Sequence, residues 1–220
     1  QILLFPWRKD KKKECYLCSM HPLEKMIREG EHAGQDFKYF LNDAKKIARS
    51  LAAFANTEGG RLLVGVKDNG KIAGLKHKEE EVYVVEAAAH VFCRPVVKYA
   101  TRFWEYEGKT VMEVHIPKSM KAPHTAPDET GRYACYIRKN DENKVASELE
   151  ATVLKMTHSV KPLTFTMDSR HKRLLEVLRT YDNSGGYDIE ELSRQSLLTR
   201  KECITALAGL IAGGTIQTSR

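Results

Sequence analysis

The sequence predicts an α+β fold, a mixed sheet with packed helices, followed by a small all-α unit. Three observations carry this. A helical apolar pattern near residues 43–56 runs into Glu58-Gly59-Gly60 and then a short apolar strand. Strand-like runs recur around two glycine turns, Asn69-Gly70 and Gly108. From residue 168 onward only helical patterning remains. The expected organisation is a basic N-terminal arm at 1–19, an α+β domain at 20–150, a linker at 151–167 and a helical domain at 168–220.

Each element has a local cause. Leu23, Met26 and Ile27 share one helical face, and Gly30 ends that helix as a C-cap would. Asn42 or Asp43 can cap the next helix, whose apolar positions Ala44, Ile47, Ala48, Leu51, Ala52 and Ala55 follow i, i+3, i+4 spacing. Arg61 to Lys67 reads as a buried strand, with Lys71 to Leu75 returning beside it after the Asn69-Gly70 turn. A helix is expected near Glu79–Phe92, then strands at Val96–Tyr106, Thr110–Ile116 and Tyr133–Arg138. Residues 151–167 lack clear periodicity, contain Pro162 and carry no acidic residue, which marks the linker. Beyond them Ser169, Asp188 and Thr199 can cap three helices that end at Thr180, Gln195 and Ala212.

Composition narrows the function classes. With 42% hydrophobic and 30% charged residues the chain belongs among folded globular proteins. No run approaches the roughly 18 apolar residues of a membrane span, and the opening Gln1 to Trp7 has no signal-peptide pattern, so a cytoplasmic protein is expected. Five cysteines at scattered positions make no disulfide framework and are expected to be reduced. The formal charge of +7 favours polyanionic partners. Its excess sits on residues 1–30, with 7 Lys/Arg against 4 Asp/Glu, and on 151–167, with 2 against none.

Cys15, Cys18 and His21 have a spacing that could supply three zinc ligands, without a fourth nearby. Lys45, Lys46 and Arg49 occupy a helical face away from the apolar stripe, and together with Lys38, Arg138 and Lys139 are candidate phosphate contacts. No G-x-x-x-x-G-K-[S/T] string occurs, so the glycines do not form a phosphate loop and ATP binding is a weak third reading.

The run Phe54-Ala55-Asn56-Thr57-Glu58-Gly59-Gly60, followed by Val64-Gly65-Val66-Lys67-Asp68-Asn69-Gly70, closely resembles the signature of the Schlafen AlbA-like domain. Glu31 through Lys38 resembles that family's acidic, phenylalanine and lysine segment. Tyr136-Ile137-Arg138 and Ala146-Ser147 resemble its closing motif. The resemblance implies a nucleic-acid-binding α+β domain. In eukaryotic members that cleave structured RNA it implies a three-carboxylate site, matched here by Glu31, Asp36 and Asp68, which would hold Mg or Mn. Asp36 departs from the usual glutamate, retracting that carboxylate by one methylene.

Residues 168–220 resemble a winged-helix type of helix-turn-helix, with a turn at Ser196-Leu197-Leu198 and a third helix from Thr199. That likeness makes Ser196, Thr199, Arg200, Lys201 and Thr205 the expected DNA contacts. The joint expectation is a non-enzymatic, DNA-binding transcriptional regulator of bacterial type. It would need no cofactor, act as a homo-oligomer and take duplex DNA first and RNA second, without a membrane partner. The rival is a metal-dependent endoribonuclease.

Overall fold

The structure, a computed structural model, describes residues 20–158, 167–180 and 188–217. The basic arm, with Cys15 and Cys18, lies outside the described residues, as do 159–166 of the expected linker. The fold is α+β: a mixed sheet with packed helices, then a group of helices.

Helix α1 (Pro22–Glu29) starts at His21, whose Nδ1 accepts from the Leu23 amide at 3.3 Å, and ends at Gly30 with φ of 73°. Strand β1 (Gln35–Lys38) follows, a short strand that its mixed polar sequence hides from pattern reading. Asp43 then caps α2 (Ala44–Asn56) by accepting from the Lys45 and Lys46 amides at 2.9 and 3.1 Å. Strand β2 (Gly59–Val64) pairs in parallel with β1.

The expected return strand at Lys71–Leu75 reduces to one bridge, Val66 to Ile72. Both edges of β2 are already taken, by β1 and by β4 (Lys109–Pro117), and Gly65 at φ of 94° turns the chain out of the sheet. Strand β3 (Ala100–Tyr106) joins β4 through Glu107 and Gly108, whose positive φ values of 49° and 70° suit a tight hairpin. The four-stranded order is β1-β2-β4-β3. Helix α3 (Lys78–Ala87) opens into a π-helical turn at Ala88–Phe92, where one continuous helix was expected.

A second antiparallel sheet contains β5 (Thr125–Pro127), β6 (Tyr133–Lys139) and β7 (Glu142–Val145). Helix α2 packs on β2 and β4 from one side and on β5, β6 and β7 from the other. A single buried stripe was expected, yet Ser50 through Asn56 are all buried. Ala48, Ala52, Ala53 and Ala55 make this close packing sterically feasible. Leu62, Val64, Met112, Val114 and Ile116 join α2 in the main core, whereas Phe37, Leu63 and Val111 meet α1 on the opposite face.

Residues 148–157 are helical where the sequence suggested that a linker begins at 151. Helix α4 (Glu148–Thr157) is started by a capping box between Ser147 and Glu150 and packs on α7 (Arg200–Ala212). Leu149 joins the core made by Leu174 of α5 (Ser169–Thr180), Leu192 of α6 (Ile189–Gln195), Leu198 and the α7 residues Cys203, Ala206, Leu207 and Leu210. Among the described residues no helix is long and apolar enough to cross a membrane.

Candidate nucleic-acid interface and the polar cluster beside it

Strand alternation sends Gln35 and Phe37 toward α1 but Asp36 and Lys38 toward α2. Gln35 Nε2 donates to the Met26 and Gly30 carbonyls at 2.6 and 2.7 Å, fixing the end of α1. On the other face Lys38 Nζ lies 2.7 Å from Asp36 Oδ2. Arg138 comes in from β6 with its side chain 1% exposed, its Nη2 3.8 Å from Asp36 Oδ1. That guanidinium also donates to Asn143 Oδ1 at 3.0 Å and to the His32 and Gln35 carbonyls at 3.3 Å, and it stacks on the Phe54 ring at 4.8 Å. Asn143 in turn donates to Ser50 Oγ at 2.9 Å. Arg138, expected on a phosphate-binding surface, is instead an interior brace between the two sheets.

Glu31 and Asp36 do come together. Glu31 Oε1 accepts from the Phe37 amide at 2.9 Å, and burial, then a hydrogen bond with Asp36, raise its pKa. Asp68 is exposed on the turn closed by the Gly70 amide and the Lys67 carbonyl at 2.7 Å. Two carboxylates faced by Lys38 and Arg138 are balanced in charge, which removes the net negative field a divalent ion needs. Among the described residues no three His, Cys, Asp or Glu side chains are grouped to hold a metal. The arrangement does not fit the expected three-carboxylate Mg or Mn site.

The raised Glu31 pKa has a testable sign. A carboxyl whose folded pKa lies above its unfolded value favours folding below the unfolded value, and that contribution is lost as pH rises through the folded value. Glu31→Gln keeps an acceptor for Phe37 and cannot ionise. Thermal unfolding is expected to show the variant more stable than wild type at neutral pH, with the gap closing as the pH falls into the carboxylate range. A gap that persists in acid would assign the gain to something other than ionisation of Glu31.

The other expected contacts divide by exposure. Lys45 and Lys46 are exposed on the first turns of α2. Arg49 donates from Nε to the Pro127 carbonyl at 3.0 Å and lies 3.8 Å from Glu129, while Lys139 Nζ is 2.7 Å from Glu150. In the helical unit Ser196 is buried, donating to the Leu192 carbonyl at 2.6 Å, which takes it out of the expected contact surface. Thr199 caps α7 in a capping box with Glu202. Arg200 pairs with Glu190 at 2.8 Å and with Glu148, and Thr205 Oγ1 donates to the Lys201 carbonyl at 2.8 Å. Lys201 is exposed.

His21, the one expected zinc ligand among the described residues, caps α1 and packs against Trp104 and Tyr106 at ring distances of 5.7 and 5.3 Å. Cys93, Cys135 and Cys203 are free, and burial pushes the first two thiols up to about 12 and about 11.

Sequence reasoning missed the partners of Asn56. Its amide accepts from the His124 backbone at 2.7 Å and donates to the His124 and Tyr136 carbonyls at 2.8 and 2.7 Å. His124 is itself buried between the Pro95 carbonyl and Ser119 Oγ, and burial lowers its pKa. Asn56 therefore fastens the end of α2 to the second sheet. Nothing local in sequence links residues 68 positions apart.

Solved structures similar to this chain include the following two. The DIP2311 protein of Corynebacterium diphtheriae matches at 18% identity and a TM-score of 0.48, over 84% of this chain and 37% of that one. The N-terminal domain of a RecG-related protein of Nitrosomonas europaea matches at 21% identity and a TM-score of 0.38, over 59% and 97%. The chain thus spans little more than a third of the first of these. No curated protein matches it. The model of the family described as Schlafen, AlbA_2 matches residues 31–147, more than half of the chain, and covers both α2 with its glycine turn and the Asp36 to Arg138 cluster. The chain belongs to the Schlafen AlbA_2 family.

Proposed function

We propose that this chain is a non-enzymatic, nucleic-acid-binding regulator that holds duplex DNA at the N-terminal end of α7. Membership of the AlbA_2 family supports nucleic-acid association in general. The observation that carries the finer reading is the exposure pattern of α7. Cys203, Ile204 and Ala206 through Leu210 are buried, while Thr199, Arg200, Lys201 and Thr205 are exposed at its start. Helix α6 reaches it through a tight turn in which Leu197 takes a φ of 54°. A helix anchored on nearly all sides, with its N-terminal turn presented, suits insertion end-first into a major groove. The neutralised Glu31 and Asp36 pair favours binding over metal-assisted cleavage.

Lys201→Ala is the discriminating variant, because Arg200 also ties α7 to Glu148 and Glu190. Loss of one charged contact is expected to weaken duplex binding roughly tenfold, and to make the log–log salt slope shallower by about 0.9. Stability is expected to move by less than about 0.5 kcal/mol, as at other surface positions. Anisotropy titrations with mixed genomic duplexes at several salt concentrations measure both. Unchanged affinity and slope in the folded variant would assign the α6–α7 unit to protein partners.

A further inference from the structure

The loop between β1 and α2 carries two aromatic rings in a setting that core packing does not explain. Phe40 is 49% exposed and meets Tyr39 edge-on, with centroids 5.3 Å apart and planes at 83°. Lys67 and Lys76, from the segment after β2, place their ammonium groups 5.2 and 5.6 Å from the Tyr39 ring centroid. Both lysines are exposed, and neither forms an ion pair among the described residues.

The loop is pinned on both sides. The Lys38 carbonyl accepts from the Gly65 and Val66 amides at 2.8 and 3.3 Å. The Leu41 amide donates to the buried Glu81 carboxylate at 2.7 Å. Asp43 is committed to the cap of α2. The rings therefore stand on a fixed platform with two cations beside them, and the same loop runs into α2, where Lys45 and Lys46 are exposed.

We propose that Tyr39, Phe40, Lys67 and Lys76 form a second nucleic-acid site, separate from α7, that takes single-stranded DNA or RNA. An unstacked base lies on the exposed face of Phe40 while the two lysines hold the flanking phosphates. Aromatic faces favour every base alike, so the site tolerates sequence. Duplexes use it poorly, because their bases already stack on one another and offer no free face. The site does not rest on the duplex reading of α7, and either can fail without the other.

The test uses the full chain and short labelled oligothymidylate and oligouridylate, with a duplex of matched length as the comparison. Wild type is expected to bind the single strands at low salt. Phe40→Ala is expected to weaken that binding roughly 5- to 100-fold, as loss of one stacked base does, with duplex binding unaffected, and Phe40→Trp to restore it. Lys67→Ala combined with Lys76→Ala is expected to flatten the single-strand salt slope by about 1.4, two phosphates at about 0.7 each. Lys201→Ala should leave single-strand binding intact. The proposal is overturned if Phe40→Ala, folded by circular dichroism, binds oligothymidylate as wild type does. It is equally overturned if Phe40→Ala weakens duplex and single strand alike, or if Lys201→Ala abolishes both. Failure of wild type to bind any single strand would make Phe40 a protein contact.

Discussion

Gly59→Ala is expected to destabilise the sheet domain by about 3–5 kcal/mol, against about 1 kcal/mol for Gly108→Ala. Both glycines have positive φ, 78° and 70°, so both substitutions carry the left-handed penalty of roughly 1–2 kcal/mol. Only Gly59 is also hemmed in by backbone. A Cβ there would lie 2.7 Å from the Ile116 carbonyl oxygen and 2.8 Å from the Lys118 amide nitrogen, and at Gly108 it would meet open space. The Ile116 carbonyl cannot withdraw without disturbing the pairing of β2 with β4, in which Gly59 stands opposite Pro117. Overpacking against such fixed atoms adds roughly 1–3 kcal/mol or more. Urea unfolding followed by far-ultraviolet circular dichroism separates the cases, and equal losses for the two variants would refute the packing argument.

Arg138→Met is expected to cost about 3–5 kcal/mol and to leave the salt dependence of nucleic-acid binding unaltered. Removing one partner from a buried ion pair strands the other, which is where costs of this size arise. Here the loss takes a donor from the His32 and Gln35 carbonyls and from Asn143, and leaves Asp36 with Lys38 alone to balance its charge among the described residues. Arg138→Lys should recover little, because a single ammonium cannot serve acceptors spread around a planar guanidinium. Adding Asp36→Asn to Arg138→Met should cost less than the two losses summed, since the pair is lost only once. Strict additivity in a four-variant denaturation cycle would mean that the two side chains do not interact. A flattened salt slope for Arg138→Met would return the residue to the binding surface.

The elements legible in the sequence were those whose cause is local. Caps at Asp43, Asp188 and Thr199, the Gly108 hairpin and the helical stripe of α2 all depend on residues within a turn of one another. Strand β1 escaped because Asp36 and Lys38 face a buried polar cluster, so a buried face reads as polar. The return strand at 71–75 failed for a different reason: the Asn69-Gly70 turn does form, but β4 competes successfully for the edge of β2. Among the site residues, Glu31 and Asp36 meet because the chain between them folds back through the His32 to Gln35 bridge. Their neutralisation by Arg138 was not readable, since the arginine lies more than a hundred positions away. Leu149 hid α4 similarly, by packing on helices that follow an interval without pattern.

Helix α4 bears on how this protein can be taken apart and recombined. Its capping residue, Ser147, is also the last residue of the family match, yet its side chains pack against α7 and Glu148 pairs with Arg200. A graft of the C-terminal helices that starts at residue 168 would leave behind Leu149, a piece of their own core, and half of the contact that steadies the first turn of α7. A graft that keeps these contacts starts at Ser147, directly behind β7. A chimera of this chain that exchanges its C-terminal helices for another unit must either carry α4 across with them or supply a different cover for the face it protects.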